Sequence, residues 1–140
     1  MIDVVNRQRK RKIQTGAWTT LAGQVLRAIG KHGSSATIAF VSDVRIRELN
    51  RRFRGIDKAT DVLSFPETYP GEQPEEPNLG DIAISVERAE AQARENNLDF
   101  DEEISQLILH GLLHLCGYDH AKDSGQMNRL ELRLRRKLGI

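Results

Sequence analysis

The sequence predicts a single α+β domain over residues 1–140, with a small mixed sheet of four strands packed with about five helices. One basis is the order of periodic segments, β-α-β-α-β-β-α-α-α, which favours one sheet with helices packed on it. Another is size, since 140 residues of 39% hydrophobic content can bury a core without disulfides. The single cysteine, Cys116, excludes an intrachain disulfide and favours a reducing compartment.

The N-terminal half of the chain supplies two strands and two helices. Residues 2–5 form a short predicted strand, and residues 17–30 place apolar side chains three and four apart, which indicates a helix. The stretch "SATIAFVS" at 35–42 is rich in β-branched and apolar residues, as in a strand. Asp43 is then predicted to cap a helix that runs to about Phe53.

The C-terminal half is predicted to contain two strands and then three helices. The strands cover 60–66 and 79–85, and all four prolines lie between them, which indicates one long irregular loop. Ala and Glu content favours a helix beginning at Ser85. The next helix starts at residues 99–101 and ends at Leu115, and the last covers about 123–138.

Charge is unevenly distributed along a chain whose net charge is only +1. Both termini are basic and the middle is acidic, except for a basic island, "RIRELNRRFRGIDK", at 45–58. Such islands either bind a polyanion locally or form solvated faces. Two further basic segments are alternative phosphate contacts, namely residues 7–12 and the last helix with Arg129, Arg133, Arg135, Arg136 and Lys137.

The N-terminus, "MIDVVNRQRKRK", is charged and has no apolar segment behind it, so no secretory signal is predicted. No stretch approaches the roughly 18 apolar residues that a membrane span needs. We therefore expect a cytoplasmic protein.

Three of the four histidines lie in "HGLLHLCGYDH" at 110–120. On a helix, His110 and His114 are one turn apart and point the same way, and Gly117 suits a left-handed cap that returns His120 to them. Three neutral imidazoles without a fourth protein ligand describe a catalytic zinc site, with one zinc ion per chain. The ion would lower the pKa of a bound water toward about 7. Nickel or copper would also bind such ligands, and the alternative is packed core histidines.

Neighbouring residues restrict the chemistry of this site. Gly111 stands where a metalloprotease of this spacing carries its glutamate, which argues against peptidase activity. Cys116 faces away from the histidines on a helical wheel, so we interpret it as a small buried apolar side chain rather than a ligand. Asp119 is a candidate either for orienting an imidazole or for acid–base catalysis. His32 is predicted to be a surface turn residue.

At these residues the sequence resembles the YbeY family of bacterial endoribonucleases. "HGLLHLCGYDH" is similar to that family's H-G-x-L-H-L-x-G-Y-D-H signature, and "LNRRFRGIDKATDVLSFP" (49–66) and "LGDIAIS" (79–85) resemble its following segments in order. Two departures concern the substrate groove: Ala59 stands where proline is usual, and Ile56 where lysine is common.

The resemblance implies a zinc-hydrolase-like fold and a single-strand-specific, metal-dependent endoribonuclease. It implies action on ribosomal RNA, in maturation of the 16S 3′ end and in ribosome quality control, with the ribosome or its proteins as partners. The zinc ligands would be His110, His114 and His120, and the catalytic arginine would be Arg54.

A mechanism follows as a hypothesis. A phosphodiester transition state gathers negative charge that a guanidinium can bind at two oxygens, and an alkoxide leaves more easily than an amine, so zinc and Arg54 would suffice without a glutamate at position 111. Either water or the RNA 2′-hydroxyl would attack. Arg51, Arg52 and Lys58 are possible RNA backbone contacts.

Two alternatives remain at this point. One is a non-catalytic, ribosome-associated assembly factor that zinc merely stabilises. The other is a zinc hydrolase of a different substrate, such as a peptide.

Overall fold

The computed structural model describes residues 1–67, 71, 74–119 and 123–140. Its elements follow the predicted order: β1 (Ile2–Asn6), α1 (Thr15–Ala28), β2 (Ser35–Val41), α2 (Asp43–Arg54), β3 (Val62–Pro66), β4 (Asn78–Ser85), α3 (Val86–Glu95), α4 (Phe100–Leu115) and α5 (Gln126–Leu138). The predicted single α+β domain is confirmed.

The four strands form one mixed sheet in the order β1-β2-β4-β3. The pairs β1–β2 and β2–β4 are parallel, whereas β3 runs antiparallel to β4, with Ser64 opposite Ile82. Strand β3 therefore forms one edge of the sheet. Because side chains alternate along a strand, this edge presents one row of residues to each face.

The two faces of the sheet are covered unequally. A large apolar cluster lies between one face and helices α1, α4 and α5, and it includes Phe40, Ile82 and Leu112, which are all fully buried. On the other face, within the part of the chain that the structure describes, the buried cluster comprises four residues, Val41, Ile46, Leu63 and Ala83. We call these the thick face and the thin face.

The cap of helix α2 lies one residue earlier than predicted. The Ser42 hydroxyl, not Asp43, accepts the hydrogen bond from the Arg45 backbone N–H, at 3.2 Å. Asp43 is already helical, and its carboxylate accepts from the Ser85 hydroxyl at 2.8 Å and from the Arg88 guanidinium at 3.1 Å. The sequence prediction was wrong because serine and aspartate are both good caps, and tertiary partners decide between them.

Other boundaries shift by one to three residues. Helix α1 covers Thr15–Ala28, two residues earlier than predicted, and strand β3 begins at Val62 rather than at residue 60. Helix α4 starts where it was predicted to start, and its cap, Asp99, forms a reciprocal capping box with Glu102. The proline-containing segment between β3 and β4 lies partly outside the described residues, as does Pro70. Among the helices described, none is long and apolar enough to cross a membrane.

Candidate active site

A cleft of about 530 Å³ lies between edge strand β3, the end of α2 and the C-terminal end of α4. The residues that line it are Arg54, Asp61, Val62, Ser64, Pro66, His110, His114, Gly117, Tyr118 and Asp119. It thus brings together four of the predicted site residues, Arg54, His110, His114 and Asp119, although they come from separate segments of the chain.

The histidine pair projects from the last two turns of α4. The Nε2 atoms of His110 and His114 are 3.0 Å apart, and the ring planes are inclined at 73°. Zinc–nitrogen bonds of about 2.0–2.1 Å in a tetrahedron place two ligand nitrogens about 3.3 Å apart, so these two imidazoles fit a shared metal ion. His120 lies outside the described residues, and within the described part of the chain no group of three potential ligands surrounds a metal position.

Helix α5 supplies a carboxylate to this pair. The Nδ1 atom of His110 contacts Glu131 Oε1, and Glu131 is only 5% exposed. A carboxylate that accepts from Nδ1 fixes the tautomer in which Nε2 carries the lone pair that binds a metal. The second oxygen of Glu131 faces Arg135 at 3.7 Å.

The sequence carries a pattern from which a buried role for Glu131 could have been predicted. Met127, Glu131 and Leu134 are spaced four and three apart, so the acid stands on the buried stripe of α5. An acidic residue on such a stripe requires a partner, because an unpaired buried charge is strongly unfavourable.

Gly111 lies on the buried side of α4, away from the cleft. A Cβ atom there would come within 2.9–3.3 Å of three side-chain atoms of Ile82 on β4. Its backbone carbonyl accepts a hydrogen bond of 3.4 Å from the Ser64 hydroxyl. A glycine at position 111 therefore allows α4 to pack closely on β4, and a glutamate there would point into the core.

Two glycines in the left-handed region shape the rim of the cleft. Gly55 (φ 70°) ends α2 immediately after Arg54, so the helix delivers that arginine to the cleft at its last residue. Gly117 (φ 96°) follows α4, and its N–H donates to the carbonyl of His114 at 3.0 Å. The predicted left-handed turn at Gly117 is confirmed.

Carboxylates give the inner wall of the cleft a negative charge, which favours a bound cation. Asp61 and Asp119 both line it. Behind Asp61, burial raises the pKa of Glu103, and the charge of Asp61 raises it further. The amide of Gln92, in the orientation that satisfies both of its polar atoms, donates to Glu103 at 2.9 Å and to Asp61 at 3.1 Å.

The remaining candidates lie elsewhere. Arg51, Arg52 and Lys58 are exposed but do not line the cleft. Cys116 is half-buried rather than buried, lies beside Lys31 in a separate depression, and has its thiol pKa raised by burial. His32 is exposed in a turn, as predicted.

Comparisons with known proteins agree with one another. Residues 3–139 match the family model described as Endoribonuclease YbeY. The Endoribonuclease YbeY of Solibacter usitatus is 51% identical over 108 residues, covering 77% of this chain and 69% of the relative. That of Koribacter versatilis is 50% identical over 114 residues, covering 81% and 70% respectively.

The fold is also similar to a solved structure. The solution structure of TM1509 from Thermotoga maritima superimposes with a TM-score of 0.62 at 31% sequence identity. The match covers 95% of this chain and 85% of that chain.

Proposed function

Since the chain belongs to the endoribonuclease YbeY family, we propose that it is a zinc-dependent enzyme that cuts single-stranded regions of ribosomal RNA during ribosome maturation and quality control. The observation that carries this proposal is one cleft holding both a histidine pair suited to a metal ion and an arginine. We include the ribosome or its proteins as partners in the proposal.

The residues present fit a zinc site. His110 and His114 would provide two ligands, Glu131 would orient the first, and His120 would be the third. When bound, zinc supplies a Lewis acid and lowers the pKa of water toward about 7.

Among the cleft-lining residues that the structure describes, Arg54 is the one lysine or arginine. Its guanidinium can bind two non-bridging phosphate oxygens at once, and such binding strengthens as negative charge develops on phosphorus. Asp119 lines the same cleft, where it would orient a ligand or transfer a proton. The chain's own contribution is therefore to hold the phosphodiester between arginine and the histidines.

The test is cleavage of small-subunit ribosomal RNA by the native protein, by His114→Ala and by Arg54→Ala, all purified identically. We expect His114→Ala to lose metal and activity, because it removes a ligand. We expect Arg54→Ala to keep its metal and lose about 10²- to 10³-fold in rate, the range for removing one transition-state donor. Metal content is measured on every preparation.

Arg45→Ala is the matched control, because Arg45 lies on the same helix but pairs with Glu48 at 3.2 Å. It should cut like the native protein. Equal cutting by all four preparations would refute the nuclease proposal and favour the non-catalytic assembly factor. Product ends then identify the nucleophile, since a 2′,3′-cyclic phosphate arises only from attack by the RNA 2′-hydroxyl.

A further inference from the structure

The thin face carries an apolar groove that the cleft does not use. It has a volume of about 430 Å³ and is lined by Thr37, Ala39, Leu49, Phe53, Phe65, Asp81, Ile82 and Ala83. Its volume falls in the range of roughly 300–1,000 Å³ that is usual for ligand sites. A largely apolar groove with a few polar side chains is the usual form of a ligand site, so we take it as a candidate binding site.

Phe53 is the most conspicuous residue of this groove. Its side chain is 62% exposed although it is large and apolar, and it lies on the last turn of α2. Phe65 supports it from the sheet by an edge-on contact, with ring centroids 5.4 Å apart. Phe65 thus contacts the Phe53 ring while much of the Phe53 side chain remains accessible.

The groove and the cleft lie on opposite sides of strand β3. Val62, Ser64 and Pro66 line the cleft, whereas the intervening Phe65 lines the groove. The same division occurs on α2, where Phe53 reaches the groove and Arg54, the next residue, reaches the cleft. A flexible chain that crosses the sheet edge would place one of its units in the groove and a neighbouring unit in the cleft.

The arginines around the groove favour an anionic chain as its ligand. The Arg52 guanidinium lies 5.7 Å from the centre of the Phe53 ring. Arg45 and Arg47 are paired with Glu48 and Asp57. By contrast, across the ranges that the structure describes, no salt bridge engages the three arginines that flank Phe53 in sequence, Arg51, Arg52 and Arg54.

We propose that Phe53 is a stacking platform for a base of single-stranded RNA, placed so that the same strand presents a phosphate to Arg54. This inference rests on the proposed function, because it takes RNA as the substrate. Aromatic rings combined with nearby cations are the usual means by which proteins hold single-stranded nucleic acid. Asp81 lines the groove and can accept a hydrogen bond from an exocyclic amino group, which favours adenine, cytosine or guanine over uracil at this position.

The experiment measures binding rather than cutting. A 2′-O-methyl oligoadenylate, shown to remain intact on a denaturing gel, is titrated against the native protein, Phe53→Ala and Phe53→Trp. A second oligomer of equal length and charge carries abasic units. We expect Phe53→Ala to weaken binding of the oligoadenylate by about 5- to 150-fold, the range for losing one stacked base, and to leave binding of the abasic oligomer unchanged.

Phe53→Trp adds a direct readout. Its exposed indole should be quenched by the oligoadenylate and not by the abasic oligomer, whereas the native Trp18 is buried at 7% exposure and provides the reference signal. Val44→Ala is the matched control, because Val44 is an 80% exposed apolar residue on the same helix outside the groove. It should bind both oligomers like the native protein.

Failure of this inference is distinguishable from failure of the proposed function. If the native protein cuts RNA but Phe53→Ala binds both oligomers normally, the stacking platform is refuted while the nuclease stands. If Phe53→Trp is quenched by bases and no RNA is cut, the platform stands in an RNA-binding protein without nuclease activity. Equal quenching by both oligomers would also refute stacking.

Discussion

Helices α4 and α2 carry the two halves of the candidate site and are held to the sheet by different forces. Helix α4, with the histidines, lies on the thick face and buries Ile108, Leu109, Leu112 and Leu113 completely. Helix α2, with Arg54, lies on the thin face and buries only one apolar side chain, Ile46. The helix with the two histidines is therefore held by apolar packing, whereas the helix with Arg54 is held mainly by hydrogen bonds and ion pairs.

Those ties hold α2 mainly at its beginning. Glu87 accepts from the Asp43 backbone N–H at 3.0 Å, and the Asp43 side chain binds Ser85 and Arg88. Near the other end, the Asn50 amide donates to the carbonyl of Lys58 at 2.9 Å. Packing of this kind leaves the last turn, with Phe53 and Arg54, on an open surface suited to a substrate.

The largest effect should come from truncating a side chain on the thick face. Leu112→Ala should lower the free energy of unfolding by about 2–5 kcal/mol, because Leu112 is 0% exposed and its removal leaves a cavity. Leu49→Ala on the thin face should cost only about 1 kcal/mol, because Leu49 is half-buried beside an open groove. Urea unfolding of both variants measures the difference, and equal losses would contradict the comparison.

A second effect concerns metal retention. If zinc is bound as proposed, Glu131→Gln should weaken its affinity about 10- to 100-fold, because the amide cannot hold His110 in its ligating tautomer as a carboxylate does. Competition with a chelating dye measures this without reference to activity.

Glu90→Gln is the control for that experiment, since Glu90 pairs with Arg11 at 3.1 Å and does not line the cleft. It should retain native affinity. Unchanged affinity in Glu131→Gln would show that the carboxylate has only a packing role.

The smallest expected effect is a pH dependence of the free energy of unfolding, through the contact between Glu87 on α3 and the start of α2. The hydrogen bond from the Asp43 backbone, followed by that from Lys10, lowers the pKa of Glu87. A carboxylate with a lowered pKa in the folded state contributes stability above its unfolded pKa, and this stability is lost as pH falls through the folded pKa. Glu87→Gln should therefore cost about 1 kcal/mol at pH 7 and progressively less below about pH 4.

Unfolding in urea at pH 7 and at pH 3.5 gives this comparison. Glu95 is exposed and lies on α3, as Glu87 does, so Glu95→Gln should have no effect at either pH. A loss in Glu87→Gln that stayed constant with pH would mean that the side chain acts through its shape and not through its charge.

The features of the molecule that depend on local periodicity could be predicted from the sequence. The element order, the helical pairing of His110 with His114 and the turn at Gly117 all follow from spacing within one segment. The roles of Arg54 and the histidines stay predictions until they are tested. Cap choice at Ser42 and the half-buried state of Cys116 were missed, because each depends on which neighbour packs there.

The rest required the tertiary arrangement. Asp61 and Ser64 enter the cleft because β3 pairs at the sheet edge, which no local pattern specifies. Glu131 reaches His110 because α5 packs beside α4, and the groove at Phe53 exists because a single helix covers the thin face. Such features depend on how elements meet and not on what each element is.

The contact between Gly111 and Ile82 also bears on how this kind of protein can evolve. A single nucleotide change can turn a glycine codon into a glutamate codon, and would complete the peptidase motif H-E-x-x-H in one step. Here that step would force a charged side chain against β4, with a Cβ already 2.9 Å from Ile82. We expect such a mutant to lose stability, so the close packing of α4 on β4 keeps this site from acquiring the peptidase glutamate although the two motifs differ by one substitution.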